Sequence, residues 1–350
     1  MEVGVGRWEE HALESRALRG NPLGDPSRRP LFVWTPPSHD DASRRRFPTL
    51  YVLHGMTGQA RAFFNVSPFT PNLPTLLDRS SLEAIVVLVD GFTSLGGAQW
   101  IDSPAIGAYG SYLCEDVVSF VDSGFRTLAD PAHRGLAGTS SGGFGAMVWA
   151  MLRPDLFGGF ASHAGDCLFE VSLRGEFAAA AQSLRNLYGG SVKRFWEDFG
   201  SGRPVLDNPS DALLQNLYAT AAAFSPGSDK AIEIPFCLAT AELRPEVWER
   251  WSAWDPVRLA PAHAAALAGL RGIWIDAGSR DEYHLDLAAT AFRAALAAAG
   301  VADASVHFEL FDGGHRGLGR RLPLSLAFLA ERLAGSAVGP EDPANPRLGH

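Results

Sequence analysis

The feature that most constrains this chain is the stretch Gly138-Thr-Ser-Ser-Gly142, taken together with the apolar runs on either side of it. Residues 135–137 form a short apolar run before it, and residues 144–152 have the composition of a buried helix. A strand, the pattern Gly-x-Ser-x-Gly and then a helix are typical of a sharp turn that lifts the central serine above a sheet edge. The two glycines let strand and helix approach each other without a Cβ clash. The sequence therefore predicts a nucleophilic serine at position 140.

The composition is that of a globular protein, with 46% hydrophobic and 20% charged residues over 350 positions. The net charge of −9 argues against nucleic acid or an anionic membrane as a partner. No apolar run approaches the roughly 18 residues that a membrane-spanning helix needs. The first residues lack the basic and then apolar pattern of a signal peptide, so the cytoplasm is the expected location. A secreted form trimmed of its signal would look the same.

The three cysteines, at positions 114, 167 and 237, have a spacing that fits no zinc or redox motif. Cys114 lies in a predicted helix and Cys237 in a predicted strand, so buried thiols are expected at both. No other residues resemble a metal cluster, and no glycine-rich loop is arranged to hold a nucleotide. We therefore expect neither a metal nor a cofactor.

The order of the apolar runs predicts an α/β fold with one mostly parallel sheet and helices on both of its faces. Residues 8–19 and 30–35 are expected to form an antiparallel start. Further strands are expected at 49–54, 84–89, 135–137, 159–162, 234–239, 272–275 and 305–310. The main helices among them are expected at 72–80, 111–128 and 144–152.

Between residues 166 and 230 the strand pattern stops, and helical sequence rich in aromatic residues takes its place. We interpret 166–230 as a helical cap insertion above the carboxyl ends of the strands, where the sites of such sheets lie. The chain is expected to form a single domain over 1–334. A flexible tail over 335–350, rich in Pro, Gly and Ala, is expected to follow it.

A serine hydroxyl needs a base that takes its proton, and the base needs a third group that holds its tautomer. His315 is the best base among the ten histidines, because it follows strand 305–310 in a glycine-rich turn. His307 lies inside that strand and is expected to be structural.

Two aspartates after strand 272–275 compete for the role of the third group. Asp276 is nearer the strand, but Asp281 lies beyond the turn at Gly278, from which a carboxylate can reach the imidazole sideways. We therefore prefer Asp281 as the acid of the triad. The other carboxylates nearby are interpreted as solvated or capping groups: Asp276, Glu282 and Asp286.

An oxyanion hole needs two backbone N–H groups aimed at the developing negative charge. One is expected from Ser141, the residue after the nucleophile, and the other from Met56 in the loop after strand 49–54. His54 precedes this loop and is expected to hold it by hydrogen bonding rather than to act as a base.

Several residues that follow strands are candidates for the substrate pocket: His54, Phe92, Trp100, His163 and Asp166. For the aromatic residues among them, a place in the core is the equal alternative. Trp248, Trp251 and Trp254 recur on one face of a predicted helix. They are expected to pack in the core or the cap, with an aryl- or sugar-binding platform as the alternative.

Four motifs occur in order along the chain: His54-Gly55, Gly138-Thr-Ser-Ser-Gly-Gly143, Gly278-Ser-Arg-Asp281 and Gly313-Gly-His315. Over about residues 30–332 the chain resembles the esterase D-like (putative esterase) branch of the α/β-hydrolases. That branch includes feruloyl esterases, ferric-enterobactin esterases, S-formylglutathione hydrolases and mycolyltransferases. The resemblance implies the α/β-hydrolase fold, the triad Ser140, Asp281 and His315, and oxyanion-hole N–H groups from Met56 and Ser141.

The chain departs from some members of that branch. It leaves no room for the extra domain of the enterobactin esterases, shows no export signal of the mycolyltransferases, and has a different loop over 54–59 from S-formylglutathione hydrolases. The predicted function is a serine carboxylic-ester hydrolase that acts on a small-molecule ester through an acyl-enzyme, with a homo-oligomer left open. The aromatic cap favours apolar or aryl acyl groups. The alternatives are an acyltransferase with an alcohol acceptor, a siderophore-lactone esterase and a non-enzymatic binding protein of the same fold.

Overall fold

The computed structural model describes residues 5–40, 44–66, 71–200, 210–228 and 231–334. Ten strands lie within these ranges: β1 Arg7–Glu14, β2 Arg28–Thr35, β3 Thr49–Leu53, β4 Ile85–Val89, β5 Asp102–Ser103, β6 Gly107–Ala108, β7 Arg134–Thr139, β8 Gly159–His163, β9 Gly272–Gly278 and β10 Val306–Phe311. Eight of them form one sheet with the order β1-β2-β4-β3-β7-β8-β9-β10, and β5 pairs with β6 alone. β1, β2 and β4 pair antiparallel, and the remaining neighbours pair parallel. The predicted α/β architecture with an antiparallel start is confirmed.

The helices connect these strands and cover the sheet. They are α1 Leu73–Asp78, α2 Tyr109–Ser111, α3 Val118–Gly124, α4 Ser141–Leu152, α5 Phe169–Ser172, α6 Phe177–Tyr188, α7 Val192–Gly200, α8 Asp211–Phe224, α9 Pro245–Ser252, α10 Pro256–Leu259, α11 Ala264–Ala268, α12 Leu285–Ala298 and α13 Leu322–Leu333. A π-helical turn over Tyr112–Val117 joins α2 to α3. The helix predicted over 111–128 ends earlier than expected, at Gly124. Within the described ranges, no helix is long and apolar enough to cross a membrane.

The central strands are apolar along their whole length because both faces of the sheet are covered. Side chains alternate between the faces, as the strand period requires. Tyr51 and Leu53 of β3 belong to the core layer that contains α4 and α12, whereas Leu50 and Val52 belong to the layer that contains α13. The two layers bury the sheet from both sides.

The register brings the carboxyl ends of four parallel strands to one edge of the sheet. Leu53 of β3 lies opposite Gly138 of β7, and Thr139 of β7 lies opposite His163 of β8. His163 in turn lies opposite Asp276 of β9. The loops that leave this edge therefore converge, as expected for the binding side of an open α/β sheet.

The segment between β8 and β9, residues 164–271, supplies helices α5 to α11, which form the cap, and its described residues contribute no strand to the sheet. The strand predicted at 234–239 is therefore wrong. This run makes only an isolated bridge between Phe236 and Leu243. The Phe236 ring stacks on Phe177 of α6 with centroids 4.8 Å apart, so its apolar residues fill the cap instead of a sheet.

Other expectations from the sequence differ in detail. Cys237, expected to be buried in that strand, is exposed, whereas Cys114 is buried as predicted. Trp248 and Trp251 are buried, and Trp251 Nε1 donates to Ser225 Oγ at 2.8 Å, so they pack in the cap core rather than form a platform. The tail predicted over 335–350 lies outside the described residues.

Candidate active site

Ser140 occupies a strained turn between β7 and α4. Its backbone has φ 55° and ψ −125°, a conformation that L-residues rarely adopt. Its N–H donates to the carbonyl of His163 at 2.9 Å, which ties the turn to β8. A Cβ on Gly138 would lie 2.2 Å from Gly142 O, and a Cβ on Gly142 would lie 2.2 Å from Leu53 O. Both glycines of the motif are therefore required by close backbone contact.

His315 and Asp281 form a hydrogen-bonded pair on two neighbouring loops. Asp281 Oδ2 lies 2.8 Å from His315 Nδ1, and the Asp281 side chain has no exposed surface. Its other oxygen accepts the Tyr283 N–H at 2.9 Å, and Glu282 accepts the His315 N–H at 2.7 Å. These bonds fix the imidazole so that Nδ1–H faces the carboxylate and Nε2 faces away from it.

The surroundings of His315 make its imidazole a stronger base than usual. Burial alone lowers the pKa of this group, but the hydrogen bond with Asp281 and the negative charges of Asp281, Asp166 and Glu282 outweigh it. The net pKa of His315 is therefore raised above its ordinary value. Such a base can accept a proton at neutral pH and hold it as an imidazolium.

Asp276 is not the solvated or capping group that the sequence suggested. It is fully buried, and its oxygens contact His163 Nδ1 at 2.7 Å, Trp274 Nε1 at 2.8 Å and Arg321 Nε at 2.5 Å. Burial raises the pKa of Asp276, but the neighbouring His163, Arg321 and Trp274 outweigh it and hold the pKa below its usual range. This carboxylate has a structural role beneath the sheet edge, and Asp281 is the aspartate that bonds to His315.

His163, a candidate pocket residue, belongs to the same buried cluster. Its ring is fully buried, and Nε2 lies 2.8 Å from Ser325 Oγ of α13. As the last residue of β8, it points into the α13 layer because strand side chains alternate between faces. The expectation that it contacts substrate is therefore corrected.

The loop after β3 carries Met56, and His54 holds it in place. His54 Nε2 accepts the Gly91 N–H at 2.9 Å, so Nδ1 carries the proton and donates to Gly55 O at 2.9 Å. Burial lowers the pKa of His54, which keeps the ring neutral. The loop is also held from the other side, because Thr57 N–H donates to Gly96 O at 2.8 Å. His54 thus supports the loop rather than contacting substrate, which corrects its place among the pocket candidates.

Two backbone donors lie near the Ser140 turn. Ser141 is the first residue of α4, so its N–H has no acceptor within the helix. Met56 lies in the neighbouring loop, where a Cβ on Gly55 would be 3.2 Å from the Ser140 Cβ. The Ser141 N–H therefore lies at the positive end of a helix dipole, and Met56 belongs to the loop that packs against the Ser140 turn.

A cavity of about 400 Å³ joins these groups. From the predicted site, Met56, Ser140 and His315 line it, and so does Asp166. Other wall residues come from the loop that carries Asp281 and from the cap: Tyr283, Ser172, Leu173, Glu176, Leu213, Gln215 and Asn216. Phe92 and Trp100 do not line it. Trp100 is buried and donates from Nε1 to His54 O at 3.1 Å, so it belongs to the core.

No pattern in the sequence predicted most of the cap residues in this wall. Glu176 and Asn216 lie in helical sequence whose path over the sheet is set by the buried aromatic residues of the cap. Within the described ranges, no three His, Cys, Asp or Glu residues are arranged to hold a metal ion.

Comparisons with known proteins show the family and the fold of the chain. Residues 26–316 match the family described as "Putative esterase". The chain is 27% identical over 188 residues to "Esterase MT1326" of Mycobacterium tuberculosis, a match that covers 49% of this chain and 37% of that protein. The chain thus spans well under half the length of this relative.

Two solved structures share the α/β-hydrolase fold of the chain. A ferulic acid esterase superposes with a TM-score of 0.60 at 17% identity, covering 94% of this chain and 99% of the other. The fluorophosphonate-binding serine hydrolase FphF of Staphylococcus aureus superposes with a TM-score of 0.58 at 15% identity, covering 93% and 99%. Because the family match extends over most of its length, the chain belongs to the Putative esterase family.

Proposed function

We propose that the chain is a serine carboxylic-ester hydrolase with Ser140 as nucleophile, His315 as base and Asp281 as the group that orients the base. One arrangement carries this proposal. Ser140, held in its strained turn, and His315, bonded to the buried Asp281, line the same cavity. A nucleophile, an orienting acid and a base in that order along the chain are the parts that acyl transfer in this fold requires.

In the proposed reaction, His315 Nε2 takes the Ser140 proton as Oγ attacks the ester carbonyl. The N–H groups of Met56 and Ser141 stabilise the oxyanion, and Asp281 stabilises the imidazolium. His315 then gives its proton to the leaving alkoxide, and an acyl group remains on Ser140. Water, activated by the same imidazole, adds to the acyl carbonyl, and Ser140 leaves with the proton from His315.

The test is the variant Ser140→Ala, measured with p-nitrophenyl acetate and with a fluorophosphonate label. We expect kcat to fall by roughly a million-fold and labelling to disappear, with the thermal transition unchanged. Ser119→Ala is the matched control, because Ser119 is exposed on α3. It should keep both activity and labelling. Turnover or labelling retained in Ser140→Ala would refute the assignment of the nucleophile.

A further inference from the structure

The wall of the cavity carries negative charge that the proposed reaction does not use. Asp166 and Glu176 line it together with His315, and no Lys or Arg is among the described residues of that wall. Neither carboxylate has a hydrogen bond or an ion pair with another described residue. Exposed acids of the cap differ in this respect: Glu170 pairs with Arg258, and Glu197 pairs with Lys193.

Burial makes these two carboxylates costly to keep ionised. Burial raises the pKa of Asp166 to about 6, with Asp281 adding to the rise and His315 opposing it. Burial and the negative charge of Asp166 raise the pKa of Glu176 to about 7. A cation beside them would remove this cost, because an opposite charge favours the ionised form.

Both carboxylates are held on rigid supports rather than on a loose loop. After Asp166, the backbone is fixed by Asp255, whose oxygens accept the N–H groups of Leu168 at 2.9 Å and Phe169 at 2.8 Å. Glu176 directly precedes Phe177, which is buried among the cap aromatics. The backbone that carries both carboxylates is therefore held in place before a ligand arrives, which lowers the entropic cost of binding.

The rest of the wall suits an alkylated ammonium group. Tyr283 lines the cavity, and its ring lies 4.9 Å from that of His315. An aromatic face attracts a cation, and the apolar side chains of Leu173 and Leu213 can contact its alkyl substituents. Two unpaired carboxylates and an aromatic ring in one cavity form a better site for an ammonium than for an anion or a hydrocarbon.

We infer that the ester accepted by this cavity carries an ammonium group, which Asp166 and Glu176 bind while Ser140 attacks the carbonyl. This inference rests on the proposed function and adds the class of substrate to it. The two carboxylates determine specificity and take no part in bond making or breaking.

The first experiment compares matched esters that differ only in charge. A choline thioester and its neutral tert-butyl isostere test the alcohol side, and γ-trimethylammoniobutyrate p-nitrophenyl ester and its tert-butyl isostere test the acyl side. The wild-type protein should prefer the cation of at least one pair by roughly tenfold or more in kcat/KM. The preference should shrink in Asp166→Asn and in Glu176→Gln and approach one in the double variant. Glu197→Gln removes the same charge from the exposed face of α7 and should keep the wild-type preference.

The second experiment needs no turnover. Calorimetric titration with choline should show binding to the wild-type protein and at least tenfold weaker binding to the double variant. Equal affinity in both proteins, no binding to either, or binding of glucose in place of choline would overturn the inference. Ser140-dependent cleavage that is indifferent to charge in both pairs would overturn it too and leave the proposed function intact. Choline binding without Ser140-dependent cleavage would support the inference for the cavity and refute the proposed function.

Discussion

The hydrogen bond between Asp281 and His315 allows a quantitative prediction for Asp281→Asn. The two groups lie 2.8 Å apart, with the carboxylate fully buried and the imidazole mostly so. Unit charges centred about 4 Å apart attract by about 4 kcal/mol at an effective dielectric constant of about 20. This attraction exists only when His315 is protonated, so its loss costs roughly three powers of ten in kcat. An asparagine amide can also donate to Nδ1 and hold the wrong tautomer, which brings the expected loss to roughly four powers of ten.

The same variant has a second, independent consequence for the pH dependence. In the wild-type protein Asp281 and its neighbours raise the pKa of His315 against the lowering effect of burial. Without the Asp281 charge, less opposes the lowering effect of burial, and the pKa of His315 falls. Because the reaction needs the neutral imidazole, the acid limb of the kcat/KM profile should move to lower pH in Asp281→Asn.

The assay is ester hydrolysis followed from acid to alkaline pH in both proteins, with Asp286→Asn as the matched control. Asp286 lies in the first turn of α12, outside the pair, and its variant should keep the wild-type rate within about twofold. A rate for Asp281→Asn within tenfold of the wild type would refute the role given to this carboxylate. An acid limb that does not move would refute the coupling between the two groups.

Two further predictions concern the support of the site. Gly142→Ala should destabilise the fold by about 3 kcal/mol, because its Cβ would lie 2.2 Å from Leu53 O and the β3 backbone would have to move. Denaturant unfolding measures this free energy, and a loss below about 1 kcal/mol would contradict the prediction. Asp276→Asn should lower the free energy of unfolding by about 3 kcal/mol and Tm by roughly 4 °C, since the buried carboxylate that contacts His163 and Arg321 loses its charge. Calorimetry checks this, and an unchanged Tm would exclude the structural role.

The sequence was most informative where the geometry of a turn permits only one type of residue. Gly138 and Gly142 can be recognised because no other residue permits that approach of strand and helix. The preference for Asp281 over Asp276 followed from the turn at Gly278, and the structure brings Asp281 to His315. Local backbone chemistry thus sufficed to predict that Asp281 pairs with His315.

Prediction failed where the outcome depends on tertiary packing. Run 234–239 has the composition of a buried strand, yet the same apolar residues serve equally well in the core of a helical cap. His163 is the last residue of β8 rather than part of the loop after it, and its side chain points to the face of the sheet that α13 covers. Glu176 reaches the cavity only because the cap folds back over the sheet. No local pattern in the sequence predicts that course of the chain.

The described part of the chain contains two sets of serine, histidine and aspartate, and hydrogen bonds alone would favour the set that lies outside the cavity. Ser325 Oγ, His163 and Asp276 are joined at 2.8 and 2.7 Å, but all three side chains are buried and none lines the cavity. What distinguishes Ser140 is its strained backbone and its place on the cavity wall. The buried set has a different consequence, because the carbonyl of His163 accepts the Ser140 N–H at 2.9 Å. By fixing His163, Asp276 and Ser325 help to hold the strained turn of Ser140.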